Sequence, residues 1–468
     1  MSQSTPQAVV ERALELSRAD ACMVLVEETS TANLRWAGNS LTTNGVTRGR
    51  TVTVVALAGQ GDAVSVGVRA RSGLRDDELP DLVAAAEAAA AEATPLADAR
   101  PLAEPAAAGS GGSWDAPAAA TDISVFGDFA PGLGRAFSAS AAAGRALYGY
   151  AEHGVTSTFY GSSTGVRLRH DQPTGTVELN AKSPASENGG HSAWVGRATR
   201  DFTDIDMGAL QAELDRRMEW ATRRVDLPAG RYETLLPPTA VADMLVNMYW
   251  SMGADDAAEG RTVFSGPEGG TRLGERLARL PLTLYSDPAE PGLECTPFVL
   301  ADGPGRDITA FDNGLPLRRT EWLSAGELSA LAQTRASAER TGLPMTGRID
   351  NLVLEESGAT ATLDDMVART ERGLLVTCLW YIRQVDPQSL LLTGLTRDGV
   401  YLVEDGRVTG AVNNFRFNES PVSLLERATE AGAAIPALSR ELGDYFPRTA
   451  MPPLRIPDFN MSTVSQAS

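Results

Sequence analysis

The chain has 468 residues, of which 43% are hydrophobic and 22% are charged, and its formal net charge is −19. A chain of this length is expected to form about two to four domains, and its composition is that of an ordinary folded protein. The strong negative charge disfavours nucleic acid as a partner. A phosphate backbone is repelled by an acidic surface, and the basic residues here form only short clusters.

Features that would direct the chain to a membrane or out of the cell are lacking in the sequence. The first residues do not combine a basic start with an apolar run, and no apolar stretch approaches the ~20 residues that cross a bilayer. The three cysteines, Cys22, Cys295 and Cys378, are scattered and show no CxxC spacing. This usage suits a reducing compartment, so we expect a cytoplasmic protein without a membrane partner.

The first part of the chain, residues 1–120, is predicted to be an N-terminal α/β domain. Apolar residues at helical spacing predict a helix over 7–18, and an acidic start that runs into alanine predicts another over 76–93. Between them, β-branched residues alternate with polar ones, and Asn39 and Asn44–Gly45 are predicted turns. The predicted strands are 21–28, 33–37, 50–58 and 63–69.

Residues 94–120 are rich in Ala, Pro and Gly, and their GSGGS core has little to bury, which predicts a linker. A middle α+β domain is predicted over residues 121–228. It begins with an alanine-rich helix and ends with a long one, and the patterns between them favour successive antiparallel strands. The predicted helices are 129–146 and 206–224, and the predicted strands are 148–159, 165–171, 175–181 and 192–200.

The remaining residues, 229–468, are predicted to form a third, β-rich domain, so the fold class is α+β. A strand over 232–236 leads through two prolines into a helix over 239–253, after which strands and turns dominate. Asp405–Gly406 stands between VYLV and RVTGAV, which is a strong signal for a tight hairpin. Thr362 and Asp365 have the spacing of a capping box that opens a short helix.

Several motifs in this part resemble the TldD/PmbA family, also called TldD/TldE, of metallopeptidases. They are NLVLEESG, a helix opening TLDDM, the strand RGLLVT and a Val-Asp-Pro turn at 385–387. Their order and spacing carry the resemblance, which extends to the N-terminal strands and covers nearly the whole chain. The resemblance implies that the C-terminal domain is a curved sheet or barrel-like.

The family's catalytic subunit carries an HExxxH helix, whose two histidines hold zinc together with a later cysteine. The corresponding helix here, TAVADMLVNMYWSMG at 239–253, offers Asp243 and Asn247 one turn apart but no His or Glu. An Asp/Asn pair is a poor zinc ligand set, and we expect both side chains on a solvated helix face. The resemblance then implies the TldE/PmbA branch, with no cofactor in this chain and zinc in a partner subunit.

The sequence gives less support to other catalytic arrangements. His153, His170 and His191 are the only histidines, and nothing in their spacing requires a metal site. Cys378 stands in the apolar run LLVTCLWYI, where a thiol is expected to be inert packing. A carboxylate-dependent hydrolase using Asp255, Asp256 and Glu259 is an alternative, although such clusters usually mark an exposed helix end.

The stretch 412–419 and the nearby 381–383 are the candidate binding segments. Amides, a planar cation and aromatic rings suit recognition of an extended peptide or of a partner's backbone. An ordinary strand with Phe inside and polar residues outside explains the pattern equally well. The candidate peptide- or partner-binding residues are Tyr381, Arg383, Asn413, Asn414, Phe415, Arg416 and Asn418.

The sequence therefore predicts a non-catalytic subunit of a heteromeric zinc peptidase. Its partner would be a TldD-like subunit with the HExxxH motif, and the substrates would be unfolded or short peptides. A hydrolase needs a metal, a nucleophile–base pair or an acid pair, and none is evident, so the chain is predicted to be inactive alone. The alternative is a homodimer that binds peptides or regulates another protein.

Overall fold

The computed structural model describes residues 4–61, 63–184 and 190–465, and it confirms an α+β protein. Three sheets carry the fold, with helices packed on them and between them. The helices are α1 (Pro6–Leu16), α2 (Leu79–Glu92), α3 (Phe129–Ala142), α4 (Met207–Trp220), α5 (Pro238–Trp250), α6 (Ala254–Ala258), α7 (Arg335–Thr341), α8 (Leu363–Ala368) and α9 (Pro421–Arg427). None of these helices is long and apolar enough to cross a membrane.

The first sheet is antiparallel throughout, in the order β3-β2-β1-β4-β5-β6. Its strands are β1 (Ala21–Ala37), β2 (Ser40–Ala58), β3 (Ser65–Ser72), β4 (Ala146–Ser162), β5 (Arg167–Lys182) and β6 (Ser192–Thr199). β1 pairs with β4 from Met23 opposite Ser162 to Trp36 opposite Gly149. Residues 1–120 and 121–228 therefore contribute to one continuous sheet, while the division into domains stays a prediction.

Two predictions in β1 and β2 were wrong. The strands predicted at 21–28 and 33–37 are one strand, because the polar residues between them are hydrogen-bonded into the sheet by β2 and β4 on both sides. Asn44–Gly45 is not a turn but lies inside β2. The turn predicted at Asn39 is confirmed: the hairpin closes at Gly38 and Asn39, whose φ angles of 59° and 64° suit a tight two-residue turn.

The segment predicted as a linker packs closely along this sheet. A Cβ on Gly111 would stand 2.6 Å from the carbonyl oxygen of Arg169, so only glycine fits there. The Trp114 ring lies 5.8 Å from that of Phe159, edge to face. Gln7 of α1 donates a hydrogen bond of 2.8 Å to the carbonyl of Trp114. The segment thus covers apolar surface of the sheet despite its small side chains.

The C-terminal half holds the second and third sheets. Their strands are β7 (Arg224–Val225), β8 (Gly230–Leu236), β9 (Leu282–Ser286), β10 (Thr320–Ser324), β11 (Glu327–Leu328), β12 (Leu352–Glu356), β13 (Arg372–Val376), β14 (Leu379–Asp386), β15 (Leu391–Thr396), β16 (Val400–Glu404), β17 (Arg407–Val412), β18 (Phe415–Glu419), β19 (Glu430–Ala431), β20 (Ile435–Ala437), β21 (Thr449–Met451) and β22 (Leu454–Val464).

The second sheet has the order β11-β10-β9-β12-β21-β20. The third runs β14-β15-β18-β22-β8-β13-β16-β17-β7, with β19 beside β22, and within the described ranges it is open rather than closed into a barrel. The hairpin predicted at Asp405–Gly406 is confirmed by φ angles of 49° and 74° between β16 and β17. The capping box is confirmed as well, since the Thr362 hydroxyl accepts from the Asp365 amide at 3.1 Å.

The largest apolar core surrounds α5, which lies between the second and third sheets. Every residue from Ala240 to Val246 is buried, so the helix is covered on all sides and not only on the face of Val241, Leu245 and Met248. Pro238 at its first turn suits a helix start, since the missing amide proton has no partner there in any helix. This burial decides what the polar side chains of α5 can do.

Candidate functional site

Asp243, in the middle of α5, is buried with 1% of its surface exposed. Its Oδ1 accepts hydrogen bonds from the Ser439 hydroxyl at 2.6 Å and from the backbone N–H of Glu441 at 3.0 Å. Burial raises the pKa of Asp243 to about 7, and these two bonds and the charge of Arg440 oppose that rise only in part. The expectation of a solvated face was wrong, because segment 439–441 covers this side of the helix.

Asn247, one turn further along α5, does not join Asp243 in a ligand set. Its side-chain Nδ2 donates to the backbone carbonyl of Asp243 at 2.9 Å, within the helix itself. Across the residues that the structure describes, His, Cys, Asp and Glu side chains form no group of three or more that could hold a metal ion. Asp243 and Asn247 of α5 thus use their side chains in hydrogen bonds within the protein.

Glu441 connects this helix to a bulge at the edge of the third sheet. Its carboxylate accepts from the backbone N–H groups of Tyr381 and Ile382, at 3.0 and 3.2 Å, and from Nη1 of Arg383 at 3.0 Å. The pairing of β14 with β15 shifts between Trp380 and Arg383, and Tyr381 has a φ of 54°. A left-handed tyrosine costs conformational energy, which the bonds to the carboxylate offset.

A polar cavity of about 170 Å³ opens beside this bulge, between the first and third sheets. The Arg440 guanidinium lies between the rings of Trp194 and Trp380, 5.0 Å from each centroid, and its Nη1 contacts the Cys378 thiol. Burial raises the pKa of Glu178, which accepts from the Trp194 ring N–H. The residues around the cavity are Thr176, Glu178, Trp380, Leu438, Arg440, Glu441, Gly443 and Asp444.

The candidate residues near position 413 lie partly inside the protein. Asn413 is buried, and its Oδ1 accepts from the backbone N–H of Leu227 at 2.7 Å. Phe415 is fully buried in the main core. The backbone carbonyl of Asn414 accepts from the N–H of Ser465 at 2.8 Å. The structure thus uses the Asn413 and Phe415 side chains for packing and for fixing the chain that enters β8.

Four other candidate residues share one region of the third sheet. Arg383, on β14, lies in register with Thr393 of β15, and Thr393 lies in register with Asn418 of β18. Arg416 is exposed and donates to the Thr393 hydroxyl at 3.3 Å. Strands are about 4.8 Å apart, so the residues on β14 and β18 lie about 10 Å from each other. Tyr381 stands beside them, and the Arg383 guanidinium lies 4.3 Å from its ring centroid.

The histidines serve three separate places in the structure. Both ring nitrogens of His153 are bonded, to the Thr121 hydroxyl at 2.7 Å and to the carbonyl of Arg200 at 2.8 Å. His170 bonds to the Gln172 side chain at 3.1 Å, and burial lowers its pKa. His191 bonds to the Ser183 hydroxyl at 3.1 Å. Each histidine thus has a hydrogen-bond partner in its own part of the fold.

The other residues considered for catalysis, the Cys378 thiol and the acidic cluster near Asp255, are buried or paired with arginines. Burial raises the pKa of Cys378 to about 12, so its thiol stays protonated. Asp255 is buried against Arg340 of α7, which corrects the expectation of an exposed helix end: α7 packs on α6 and covers this carboxylate. Arg306 lies 3.3 Å from Asp256 and 3.2 Å from Glu259. The acidic cluster is therefore paired with arginines.

No pattern in the sequence predicted the contact of Asp243 with Ser439 and Glu441. The partners are 196 and 198 residues apart in the chain, so no local spacing relates them. One signal was present: an aspartate inside the otherwise apolar run AVADMLV. A charged residue in a buried helix requires a polar partner from elsewhere in the fold.

Comparisons with known proteins agree with this architecture. A family model described as the PmbA/TldA metallopeptidase C-terminal domain matches residues 229–463. The crystal structure of TldE from Thermococcus kodakarensis is similar, with a TM-score of 0.78 and 15% identity, covering 97% of this chain and 99% of that chain. A search of curated proteins found no match.

Two further solved structures, each described as a candidate modulator of DNA gyrase, have the same fold. The one from Bacteroides thetaiotaomicron has a TM-score of 0.75 and 15% identity, and covers 98% of both chains. The one from Thermotoga maritima has a TM-score of 0.75 and 15% identity, and covers 97% of this chain and 99% of that chain. At this identity the likeness establishes the fold.

Proposed function

Because the chain belongs to the PmbA/TldD metallopeptidase family, we propose that it is the non-catalytic subunit of a heteromeric zinc peptidase. Its partner is a TldD-like subunit with an HExxxH helix, which holds the zinc and performs the hydrolysis. The complex cleaves unfolded or short peptides in the cytoplasm. This chain contributes architecture to the complex and part of the surface that holds the peptide.

The observation that carries the proposal is the chemistry of α5. Peptide hydrolysis by this family needs side chains that hold zinc and a glutamate that activates water. At the corresponding helix, Asp243 is bonded to Ser439 and Glu441, and Asn247 is bonded to the backbone of its own helix. Those side chains stabilise the fold, and the hydrolytic groups must come from another subunit.

The peptide-holding part of the proposal is supported by the face around β14, β15 and β18. Arg383 and Arg416 are exposed there and can pair with carbonyl or carboxylate oxygens of a peptide, and Asn418 adds an amide. Glu441 fixes the backbone of the bulge that carries Tyr381 and Arg383, which lowers the ordering cost of presenting these side chains to a peptide.

The test is co-expression with the HExxxH-bearing family member of the same organism. We expect a 1:1 complex by size-exclusion chromatography with mass detection, one zinc per complex, and cleavage of a denatured reporter protein only when both chains are present. A partner whose HExxxH glutamate is replaced by glutamine should still assemble but not cleave. A homodimer that ignores the partner, or cleavage by this chain alone, would overturn the proposal.

Substitutions in this chain separate holding from assembly. The double change Arg383→Ala and Arg416→Ala should raise the KM of the complex several-fold, because both cations leave the peptide face, while the 1:1 mass is retained. Arg12→Ala is the matched control, since Arg12 is an exposed arginine on α1, far from the third sheet in the sequence, and pairs with Glu15 of the same helix. Equal KM values for the double variant and the control would remove the peptide-holding role.

A further inference from the structure

We propose that the outer edge of β2, together with the groove between β2 and α3, binds a free peptide in extended conformation as an additional strand. This surface lies on the first sheet, away from the candidate site on the third. The inference goes beyond the subunit role and does not require a catalytic partner. It rests on a free strand edge, on an apolar groove next to that edge, and on the position of β2, which forms the edge and also one wall of the groove.

Half of β2 has a neighbour on one side only. β3 pairs with β2 from Thr51, opposite Ser72, to the end of the strand. Residues 40–50 pair with β1 alone, and within the described ranges no strand covers their other edge. The carbonyl of Arg50 accepts from the N–H of Gly73 at 2.9 Å, so Arg50 directs its backbone outward. Since backbone direction alternates along a strand, Asn44, Val46 and Arg48 direct theirs outward too.

A groove of about 530 Å³ lies along this edge, on the side that faces α3. That volume lies in the range of roughly 300–1,000 Å³ that ligand pockets occupy. None of the described residues that line it is charged, although Asn39, Ser40 and Asn44 add polar groups. Its apolar walls come from β1, β2, the turn before α3 and α3 itself. The apolar lining residues include Leu34, Leu41, Ile123, Phe126, Leu133 and Phe137.

Large apolar side chains are exposed here, which is costly unless something covers them. Leu41 is 49% exposed, Val46 41% and Ile123 42%. Val46 lies opposite Ala32, and Asn44 lies opposite Leu34, whose side chain packs beneath α3. Asn44, which offers outward backbone groups, therefore also lines the groove, and Val46 lies on the same face of the sheet next to it. A strand added at this edge would place every second side chain against the apolar wall.

The free edge identifies the occupant as a polypeptide in extended form. A small apolar molecule could fill the groove but would leave the backbone groups of Asn44 and Val46 unpaired. A second copy of this chain carries the same net charge of −19, which disfavours association. A folded partner would need a free edge of its own, and folded proteins usually cover such edges. An unfolded peptide has unpaired backbone N–H and C=O groups along its whole length and can supply the pairing strand.

The test is a fluorescence-anisotropy titration of the purified chain with a labelled ten-residue peptide. In the probe, Val and Leu alternate with Thr, and a Lys stands at each end. We expect saturable binding that falls at least roughly tenfold when the backbone amides of the peptide's four central residues are N-methylated, because the methyl groups remove the main-chain donors whichever way the added strand runs. Equal binding of the two peptides would overturn strand addition without any change to the protein.

Protein variants locate the site. Ala130→Trp, at an exposed position of α3, fills the groove and should weaken binding roughly tenfold. Ala139→Trp, exposed on the same helix but outside the groove, is the matched control. Val46→Pro removes one outward N–H and should weaken binding as well. The proposal would be overturned if Ala130→Trp bound the peptide as well as the native chain does. It would also be overturned if the native chain self-associated and Ala130→Trp abolished that association. Either result is independent of the subunit role, which is tested by complex formation with the catalytic partner.

Discussion

The first and third sheets differ in whether a strand edge is capped by a side chain. At β14, the edge strand of the third sheet, the Glu441 carboxylate takes the N–H groups of Tyr381 and Ile382 and bends the strand into a bulge. At β2, the backbone of Asn44 and Val46 faces outward beside an apolar groove, and no side chain in the described part of the chain caps it.

The comparison shows that a free edge can be closed by one side chain from far away in the sequence. Unpaired edges invite association, and proteins usually block them with charges, bulges or loops. Glu441 provides both a charge and a bulge, and it is itself positioned by Asp243. A sheet that lacks such a device keeps an edge that another chain can use. Each of the following changes tests one side of this contrast.

The largest effect is expected from Asp243→Asn, and it depends on pH. Burial raises the pKa of Asp243 to about 7 from an unfolded value near 3.8, so the folded state holds a proton between these values that the unfolded chain has released. Its contribution to the free energy of unfolding therefore falls as pH rises through this window, by on the order of 4 kcal/mol in full. Asparagine does not ionise, so the variant should gain stability relative to the native chain as pH rises.

The measurement is the thermal unfolding midpoint of both proteins at pH 5 and pH 8. We expect the midpoint of the variant minus that of the native chain to be clearly more positive at pH 8 than at pH 5. Asp81→Asn, at an exposed position on α2, is the control and should show the same small difference at both pH values. A margin for Asp243→Asn that does not change with pH would show that this carboxylate is not protonated in the folded chain.

Glu441→Ala should open the capped edge of β14. The change leaves the N–H groups of Tyr381 and Ile382 without their acceptor, and we expect a loss of about 2 kcal/mol in the free energy of unfolding. Urea unfolding measures this loss, and amide hydrogen exchange at the two residues should become fast, as it is expected to be at Val46 in the native chain. Glu441→Gln keeps an acceptor and should lose less. Slow exchange that persists in the alanine variant would contradict the capping role.

Arg383→Ala should have a smaller effect on stability. Its guanidinium pairs with Glu441 at 3.0 Å and lies over the Tyr381 ring, but the side chain is 58% exposed. Exposed ion pairs and cation–π contacts contribute about 0.5–1 kcal/mol each, and salt weakens the pair. We expect a loss of about 0.5–1 kcal/mol in urea unfolding that shrinks at high salt. A loss as large as that of Glu441→Ala would mean that the arginine, rather than the carboxylate, holds the bulge.

The smallest effect is expected for Arg416→Ala, because this exposed side chain makes one long bond, to Thr393. The free energy of unfolding should change by less than about 0.5 kcal/mol. Together with a raised KM in the assembled peptidase, this would mark Arg416 as a residue kept for binding. A large loss of stability would instead assign it to the fold.

Local signals in the sequence predicted local structure well. The Asp405–Gly406 hairpin and the Thr362–Asp365 capping box depend on neighbouring residues, and both are present. Of the two turns predicted near the β1–β2 hairpin, the one at Asn39 is present and the one at Asn44–Gly45 is not. Once the chain has reversed at Gly38 and Asn39, residues 44 and 45 pair with β1 as part of β2. Of the binding residues, the alternation of Phe415 inside and Arg416 outside was one of the two patterns expected from the sequence.

The sequence by itself determined the fold class, the resemblance to a peptidase family and the lack of histidine and glutamate in the helix that corresponds to its zinc helix. These follow from residue types and short-range spacing. Only the tertiary structure decided that Asp243 is buried, that Glu441 closes the β14 edge and that the edge of β2 is free. Such features depend on burial and on contacts between residues up to 198 positions apart, which the linear order of the chain does not contain.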